Sequence, residues 1–465
     1  MQRMTGADAS MLYSETPTSH MHTMKVAVLD VAGVKGAYDR DRLVDEVEAR
    51  IHLMEPLRRR AVDVPLGLHH PVWVEDPDFV VAHHIRERVV SAPGDQRALD
   101  SVLSEIHSEP LDRSRPLWEM TFISGLADGR IAVAAKIHHA VADGMASMTG
   151  LMHLASFAMD EPVPPPSEEW LPESIPLKRE LLYHALLDRL RAWGSIPELI
   201  LRTIQGVSRM RKVRKTVEAT PPNPLTGPRA SFNGNLTRRR SVATIKTPLA
   251  DFKVIKTAFD CTINDVVLAS TAGGLRRYLD RRGEQHAKPL VCAIPTALDA
   301  GSDNQRRSGN KVSQFFTSLN THIDDPVERL QRIHAVTKTA KLLNAEMGPE
   351  LAHDWNEFSS PGPYQLLWRR VMPKVGTPAI NVVVSNVPGP RDSLWFAGAH
   401  MDDFYSTSVL TEGAGLNITV WSYKDHMRAG ITSCPELIRD LHELADDIEA
   451  AFDELLELAR SSTVA

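Results

Sequence analysis

The spacing of apolar residues changes repeatedly between residues 1 and 155, which predicts a mixture of strands and helices. The continuous apolar run MKVAVLDVAG is typical of a buried strand. In DRDRLVDEVEARIHLM the apolar residues instead recur at helical spacing, at Leu43, Val47, Ile51 and Met54. The stretch PLWEMTFISGLADGRIAVAAKIHH is typical of a hairpin that turns at Asp128 and Gly129. Its second strand ends at His138 and His139.

A change in composition then separates this segment from the rest of the chain. The residues from 160 to 176 are rich in proline and indicate an extended surface linker. A long helical pattern follows and is broken near Gly194 and Pro197. Its second half ends in a basic tail, which consists of Arg209, Arg211, Lys212, Arg214 and Lys215. We therefore predict an N-terminal domain over residues 1–159, a proline-rich and helical linker over 160–229 and a C-terminal domain over 230–465.

The remainder of the chain again mixes strand and helix patterns. RRRSVATIKT, KPLVCAIPTA, NKVSQFFTSLNTHI and AINVVVSNV favour strands, and GLNITVWSYKDHMRAGITS favours a late hairpin. TINDVVLASTAGGLRRYLDRRG favours a helix. The last helix is strongly amphipathic, with apolar residues at Leu437, Leu441, Leu444, Ile448, Phe452 and Leu455. The predicted fold class is α/β, and active sites often lie in the crevice between two such halves.

Composition narrows the class of protein. Apolar residues make up 43% and charged residues 24% of the 465 residues, which is typical of a soluble globular protein. The net charge of -6 gives no reason to expect a nucleic-acid partner. Three distant cysteines favour a reduced, cytoplasmic protein. No apolar run is long enough to span a membrane, so any contact with lipid is expected to be peripheral.

The segment KIHHAVADGMA, residues 136–146, admits three interpretations. Asp143 can cap the following helix while His138 and His139 hydrogen-bond locally. The second interpretation is a metal site, although no clustered His, Cys or Glu offers the further ligands that zinc needs. In the third, one imidazole is a general base, since its ordinary pKa of about 6.5 suits proton removal at neutral pH. No GxSxG nucleophile occurs, so such a base would act on a hydroxyl of the substrate.

Five segments carry a resemblance to known enzymes. HHAVADG matches the HHxxxDG signature of coenzyme A-dependent acyltransferases with the chloramphenicol acetyltransferase-like fold, which peptide-synthetase condensation domains share. DASMLYSE, PLWE, IND and NVVVSNVPGP resemble the bacterial wax ester synthase/diacylglycerol acyltransferase family. The resemblance spans nearly the whole chain. It implies two chloramphenicol acetyltransferase-like mixed-sheet domains joined by a helical linker, with the active site between them.

The same resemblance implies the reaction. His139 matches the general base, which would take a proton from diacylglycerol or a long-chain fatty alcohol so that the alcohol attacks acyl-CoA directly. His138 and Asp143 support the motif, Asp143 by orienting the loop. Gly144 is expected to let the backbone turn tightly into the helix. The expected products are triacylglycerol or wax ester. Acyl-CoA arrives as a substrate, and no bound cofactor or metal is expected.

Further polar residues are candidates for the same site. Asn264 is a candidate donor to the tetrahedral oxyanion. Thr262 and Asp265 also have the spacing of a helix cap, so both interpretations stay open for Asn264 and Asp265. A strand end predicted to line the substrate channel carries Ser385, Asn386, Gly389 and Pro390. Trp118 is predicted to pack in the core. The other histidine pairs, at 69–70 and 83–84, are interpreted as ordinary surface or strand residues.

Two basic segments indicate other contacts. The cluster Arg238–Arg240 is a candidate for binding coenzyme A phosphates. The helix before the basic tail carries Ile196, Leu199, Ile200 and Ile204, as in helices at anionic lipid surfaces. Packing of these residues on a domain explains them equally. We expect a cytoplasmic protein in peripheral contact with the inner membrane face or lipid droplets. The alternatives are a non-catalytic lipid-binding homologue and a different acyl-CoA-dependent or condensation-type enzyme.

Overall fold

The computed structural model describes residues 1–159, 161–166, 170–223, 225–284, 287–299, 306–371 and 378–464. The helices are α1 (Gly6–Ser14), α2 (Arg40–Arg50), α3 (Gln96–Ser108), α4 (Gly144–Leu154), α5 (Lys178–Trp193), α6 (Ile196–Arg214), α7 (Leu249–Ala258), α8 (Ile263–Arg281), α9 (Pro326–Met347), α10 (Leu351–Asn356), α11 (Pro361–Leu366) and α12 (Leu441–Val464). Short 3-10 turns occupy Ile51–Leu53, Glu55–Arg58, Pro65–Gly67 and Val81–His84, and a π turn occupies Leu367–Val371.

The strands form two large sheets and one small one. They are β1 (Gln2–Arg3), β2 (His22–Asp30), β3 (Arg59–Val62), β4 (Val72–Glu75), β5 (Ile85–Val89), β6 (Trp118–Ser124), β7 (Ile131–His138), β8 (Ser241–Pro248), β9 (Val291–Ala297), β10 (Val312–Ser318), β11 (Val382–Val387), β12 (Trp395–Phe396), β13 (Ala399–Thr407), β14 (Leu416–Tyr423) and β15 (His426–Ser433). The small sheet has the order β1-β4-β3. The mixture of strands and helices confirms the predicted α/β class.

The first large sheet, in the order β12-β13-β2-β7-β6-β5, contains the predicted hairpin of β6 and β7. Its strand β13 comes from the second half of the chain. That strand pairs antiparallel with β2, from His400 opposite Asp30 to Thr407 opposite Met24. The predicted division at residue 230 therefore does not separate the two large sheets, because the hydrogen-bonding edge of β2 is completed by a strand from the C-terminal half.

The second large sheet has the order β10-β9-β11-β14-β15-β8. The predicted late hairpin is β14 and β15, and β8 pairs antiparallel with β15. Helices α7, α8, α9 and α12 supply apolar side chains to the core on this sheet, including Phe252, Val266, Leu330 and Leu444. Helix α12 begins at Leu441 rather than at Leu437. Asp440 explains this start, since its carboxylate accepts the backbone N–H groups of His442 and Glu443.

Helices α5 and α6 form the helical part of the predicted linker, and the break between them falls at Gly194 as predicted. Residues 160, 167–169 and 224 of the predicted linker lie outside the described residues. Helix α6 packs on α9 with Leu199 and Gly206 buried. A side chain at Gly206 would collide with the carbonyl of Met347. The apolar residues predicted to form one stripe on α6 are therefore divided between this contact and the surface.

Three histidines of the other pairs are buried and lie outside strands, which corrects the prediction that they are ordinary surface or strand residues. His69, His70 and His84 have 6%, 0% and 4% of their surface exposed. The ring of His84 stacks on Trp118 with the centroids 4.4 Å apart, and Trp118 Nε1 donates to the carbonyl of Leu57 at 2.7 Å. Trp118 therefore packs in the core, as predicted. Burial lowers the pKa of His70 to about 4, which keeps that imidazole neutral.

The three cysteines are buried and free. Within the described ranges, each helix is too short or too polar to cross a lipid bilayer.

Candidate active site

A cavity lies between the two large sheets and is lined by residues from both halves of the chain, and its empty space, including the solvent at its mouth, is about 1550 Å³. We call it the central cavity. From the N-terminal half it is lined by Met21, Thr23, Lys25, His139 and Gly144, and from the C-terminal half by Ser385, Val387, Asn417 and Trp421, among others. A mixture of apolar walls and a few polar groups is typical of a small-molecule site.

The end of β7 positions the histidine pair at this cavity. His138 is the last residue of β7 and lies opposite His22 of β2. Just beyond the strand, the backbone N–H of His139 donates to the carbonyl of Met21 at 2.7 Å. Its backbone is therefore fixed to the residue just before β2, and its half-buried side chain lines the central cavity.

Asn310 determines which nitrogen of His139 carries the proton. The Asn310 Nδ2 group donates to Asp8 Oδ1 at 2.8 Å and to the carbonyl of His139 at 2.7 Å. Because both partners only accept, the amide oxygen must face the ring, and it lies 2.9 Å from His139 Nδ1. Nδ1 is therefore the protonated nitrogen, and Nε2 carries the free lone pair.

Asp8 holds Asn310 in this orientation. Its carboxylate also accepts the backbone N–H of Asn310 at 2.8 Å, and its own backbone N–H donates to Thr5, the cap of α1. Burial raises the pKa of Asp8, and the hydrogen bonds from Asn310 and Thr5 partly oppose that rise. A connected series of hydrogen bonds thus runs from α1 through Asn310 to His139.

Burial, as the largest effect, lowers the pKa of His139 below its ordinary value of 6.5. Asp143 opposes this shift, Lys25 adds to it, and the hydrogen bond with Asn310 opposes it. The result is an imidazole that is neutral at pH 7, which is the form a general base requires.

Asp143 caps α4 and also joins the two halves of the chain. Its carboxylate accepts the N–H of Ala146 at 2.9 Å, the N–H of Lys311 at 2.9 Å and the Arg306 guanidinium at 2.6 Å. The neighbouring backbone forms a bridge between Ala142 and Gly309. The helix-cap interpretation is therefore correct for Asp143, and the same side chain holds the loop of residues 139–143 against the segment 306–311.

The other two residues of the motif have structural contacts. His138 is fully buried, its Nδ1 accepts the N–H of Ala140 at 3.0 Å, and its Nε2 lies 3.7 Å from Glu15. Gly144 lines the central cavity at the first position of α4. Its backbone does not take the left-handed conformation expected for a tight turn. The absence of a side chain instead leaves room for Val387, which a β-carbon would meet at 3.3 Å.

The end of β11 brings only part of the predicted channel to the cavity. Ser385 lines the central cavity, whereas Asn386 follows it on the strand and points to the opposite face. Gly389 donates its N–H to Ser422 Oγ at 2.9 Å, and the carbonyl of Pro390 accepts from Lys424 at 3.0 Å. Gly389 and Pro390 thus turn the chain onto the β14–β15 hairpin.

Asn264 and Asp265 do not join His139 in the described lining of the central cavity. Thr262 and Asp265 form a reciprocal capping box at the start of α8, with the Asp265 carboxylate 2.9 Å from the N–H of Thr262. Asp265 also contacts His334 Nδ1 at 2.7 Å. The structure therefore supports the cap interpretation, since the carboxylate is occupied inside the C-terminal half.

The basic cluster at 238–240 is only partly available to a ligand. Arg240 is buried and donates to the carbonyls of Thr18, Thr237 and Arg239. Arg238 and Arg239 are exposed, and Arg239 lies 3.5 Å from Glu436. No group of His, Cys, Asp and Glu that could hold a metal ion occurs among the residues the structure describes.

Sequence reasoning missed Asn310 and the role of Asp8. Both residues lie inside quoted segments: Asp8 opens DASMLYSE, and Asn310 begins the strand pattern NKVSQFF. The available signal was a polar amide placed at the start of a predicted strand. It did not show which other strand end would lie opposite.

The sequence matches two parts of one protein family. Residues 4–267 match the wax ester synthase/diacylglycerol acyltransferase catalytic domain, and residues 308–456 match the C-terminal domain of the same family. The chain belongs to the wax ester synthase/diacylglycerol acyltransferase family. Two Mycobacterium tuberculosis members, each named putative diacylglycerol O-acyltransferase, are 38% and 36% identical to it. The first match covers 99% of this chain and 97% of the relative, and the second covers 98% and 90%.

Solved structures agree with this family assignment. The wax ester synthase/diacylglycerol acyltransferase from Marinobacter aquaeolei VT8 is 27% identical, with a TM-score of 0.70 over 99% of this chain and 100% of its own. The first condensation domain of the calcium-dependent antibiotic synthetase, at 17% identity and a TM-score of 0.59 over 98% and 96% of the two chains, shares the fold. The predicted resemblance and the two-domain acyltransferase fold are confirmed.

Proposed function

We propose that this protein transfers a fatty acyl group from acyl-CoA to the hydroxyl of diacylglycerol or of a long-chain fatty alcohol, with His139 as the general base. The observation that carries the proposal is the fixed tautomer of His139. Asn310 holds the proton on Nδ1, so the unprotonated Nε2 is left for a substrate hydroxyl in the central cavity. Family membership supports the choice of an acyl group and these two acceptors.

The reaction follows from this arrangement. Nε2 of His139 takes the proton of the acceptor hydroxyl, and the oxygen forms a bond to the thioester carbonyl carbon. The tetrahedral oxyanion then collapses, the bond between carbon and sulfur breaks, and the imidazolium returns its proton to the thiolate of coenzyme A. His139 therefore ends each cycle neutral. The bond between Nδ1 and Asn310 keeps the ring oriented in both protonation states.

The experiment is release of free thiol from palmitoyl-CoA, with 1,2-dipalmitoylglycerol or hexadecanol as acceptor. Wild type should release thiol only when an acceptor is present, and His139→Ala should reduce the rate by about 10² to 10⁴. His83→Ala is the matched control, because His83 is an exposed histidine outside the lining of the central cavity. Equal rates in wild type and His139→Ala would contradict the general-base assignment. A silent wild type with both acceptors would favour a non-catalytic lipid-binding protein.

We also propose that the enzyme works at a lipid surface through α5 and α6. Large apolar side chains on these two helices are exposed to solvent, namely Tyr183, Leu186, Leu190, Trp193, Ile200, Leu201 and Ile204. The basic tail at the end of α6 includes the exposed Arg211 and Lys212. An apolar surface beside positive charge is suited to anionic lipid. The inner membrane face and lipid droplets are the surfaces on which its acceptors would be found.

A further inference from the structure

A second cavity lies within the N-terminal half, behind the loop that carries His139. We call it the inner cavity. Its empty space of about 730 Å³ includes the solvent at its mouth, and it is bounded mainly by aliphatic, aromatic and methionine side chains. The apolar lining includes Met54, Leu57, Met120, Val133, Phe396 and Met401. Arg307, an exposed side chain, lies at its rim. Nothing in the reaction described above uses this space.

One face of β2 connects the inner cavity to the central cavity. Side chains on a strand alternate between its two faces, so Met21, Thr23, Lys25 and Ala27 follow one another along one face. The first two line the central cavity, Ala27 lines the inner cavity, and Lys25 lines both. The loop of residues 139–143 divides the two spaces in the same way. Val141 and Ala142 face the inner cavity, and His139 faces the central cavity.

Lys25 marks the junction, and its amino end is held against the wall. The amino group donates to Ser406 Oγ at 2.9 Å and lies 5.2 Å from the ring centroid of Trp421, and burial lowers its pKa to about 7. Both partners belong to strands from the C-terminal half. This leaves the aliphatic part of the side chain as apolar surface between the two cavities.

We infer that the inner cavity is the subsite for the fatty chain of acyl-CoA, and that the chain enters it from the central cavity past Lys25. The inference rests on the function proposed above and adds the location of the acyl chain. The distance along β2 from Met21, beside His139, to Ala27 is roughly 20 Å, at about 3.3 Å per residue. That length suits a long acyl chain whose thioester lies at His139. Diacylglycerol brings two chains and fits the larger central cavity.

The subsite predicts that obstruction at different depths will select different chain lengths. Ala135 lies opposite Lys25 in the register of β2 and β7, and Ala27 lies opposite Val133, two positions deeper. Leucine at position 135 would narrow the entrance, whereas leucine at position 27 would shorten the inner end. Ala429→Leu is the matched control, because Ala429 lines a separate apolar cavity in the second sheet.

The experiment measures equilibrium binding of octanoyl-CoA and palmitoyl-CoA by calorimetry, together with KM for octanol and hexadecanol. We expect Ala27→Leu to weaken the binding of palmitoyl-CoA about tenfold, equal to ~1.4 kcal/mol, and to leave the binding of octanoyl-CoA unchanged. Ala135→Leu should weaken the binding of both thioesters, and Ala429→Leu should change the binding of neither. Circular dichroism and thermal unfolding identify the variants that remain folded.

The outcomes separate this inference from the proposed function. If folded Ala27→Leu binds palmitoyl-CoA more weakly and octanoyl-CoA as before, the subsite is supported. This holds even if wild type releases no thiol with either acceptor, because that result would overturn only the proposed function. An unchanged ratio of the two affinities in both folded leucine variants overturns the subsite. A change confined to the KM of hexadecanol also overturns it, because the inner cavity would then hold the acceptor chain. If Ala27→Leu does not fold, weaker binding of both thioesters by folded Ala135→Leu supports the subsite, and unchanged binding overturns it.

Discussion

Replacement of Asn310 by alanine tests the assignment of the His139 tautomer. The change removes three side-chain hydrogen bonds, to His139 Nδ1, to the His139 carbonyl and to Asp8. At roughly 0.5–1.5 kcal/mol each, their loss should lower the free energy of unfolding by about 1.5–4.5 kcal/mol. Without a fixed acceptor at Nδ1, the ring can place its proton on Nε2. If the transition state loses about 1.4–2.8 kcal/mol of stabilisation, kcat/KM falls roughly 10- to 100-fold.

The pH profile distinguishes this effect from general loss of structure. As the proposed general base, His139 must be neutral, so kcat/KM is expected to fall as the pH drops through its pKa, which lies below 6.5. The hydrogen bond that His139 Nδ1 donates to Asn310 raises the pKa of His139, so Asn310→Ala should move the acidic limb of the profile to lower pH. The positive charge of Lys25 lowers it, so Lys25→Met should move the limb to higher pH. Two variants on opposite sides of one imidazole are thus expected to shift the profile in opposite directions.

The assay is thiol release from palmitoyl-CoA at saturating acceptor, measured between pH 5 and 8 on protein shown by circular dichroism to be folded. Asn344→Ala is the matched control, since Asn344 makes its side-chain contacts with Ser313 and does not touch His139. Wild-type kcat/KM in Asn310→Ala would refute the reasoning from the tautomer. Shifts of the same sign in Asn310→Ala and Lys25→Met would refute the electrostatic argument.

Three further predictions concern stability and lipid binding. Arg306→Met removes the cation that contacts buried Asp143 and should lower the free energy of unfolding by roughly 3 kcal/mol, so an unchanged urea midpoint would contradict it. Asp265→Asn should cost about 1 kcal/mol through the cap of α8 and leave kcat/KM intact, whereas a large loss of turnover would return Asp265 to the active site. Neutralising the basic tail should weaken sedimentation with vesicles that contain anionic lipid, and unchanged sedimentation would refute that contact. The tail residues to replace are Arg209, Arg211, Lys212, Arg214 and Lys215.

Local patterns predicted much of the fold because they depend on neighbouring residues. The hairpin of β6 and β7 follows from its alternation and from the turn residues between its strands. The cap at Asp143 follows from a carboxylate placed just before an apolar helical pattern. The same local spacing identified Thr262 and Asp265 as a cap, but it could not decide whether their helix would reach His139.

Contacts between distant segments were not predicted from the sequence. Asp8, His139 and Asn310 are joined only after the two halves fold together. A short strand such as β13 has no pattern that indicates which sheet it will join, so the sequence does not predict its pairing with β2. The division of apolar side chains on α6 between α9 and the surface depends in the same way on tertiary packing.

The course of β13 has a consequence for how the protein is synthesised. Domains commonly fold in order as they leave the ribosome, the N-terminal one first. Here β2 emerges early, whereas residues 399–407, which pair with its open edge, are added only when the chain is almost complete. Until then the nascent chain presents an unpaired and largely apolar strand, which is a template for aggregation. We expect a chain released after residue 229 to aggregate, and the nascent enzyme to depend on chaperones until its last strands are made.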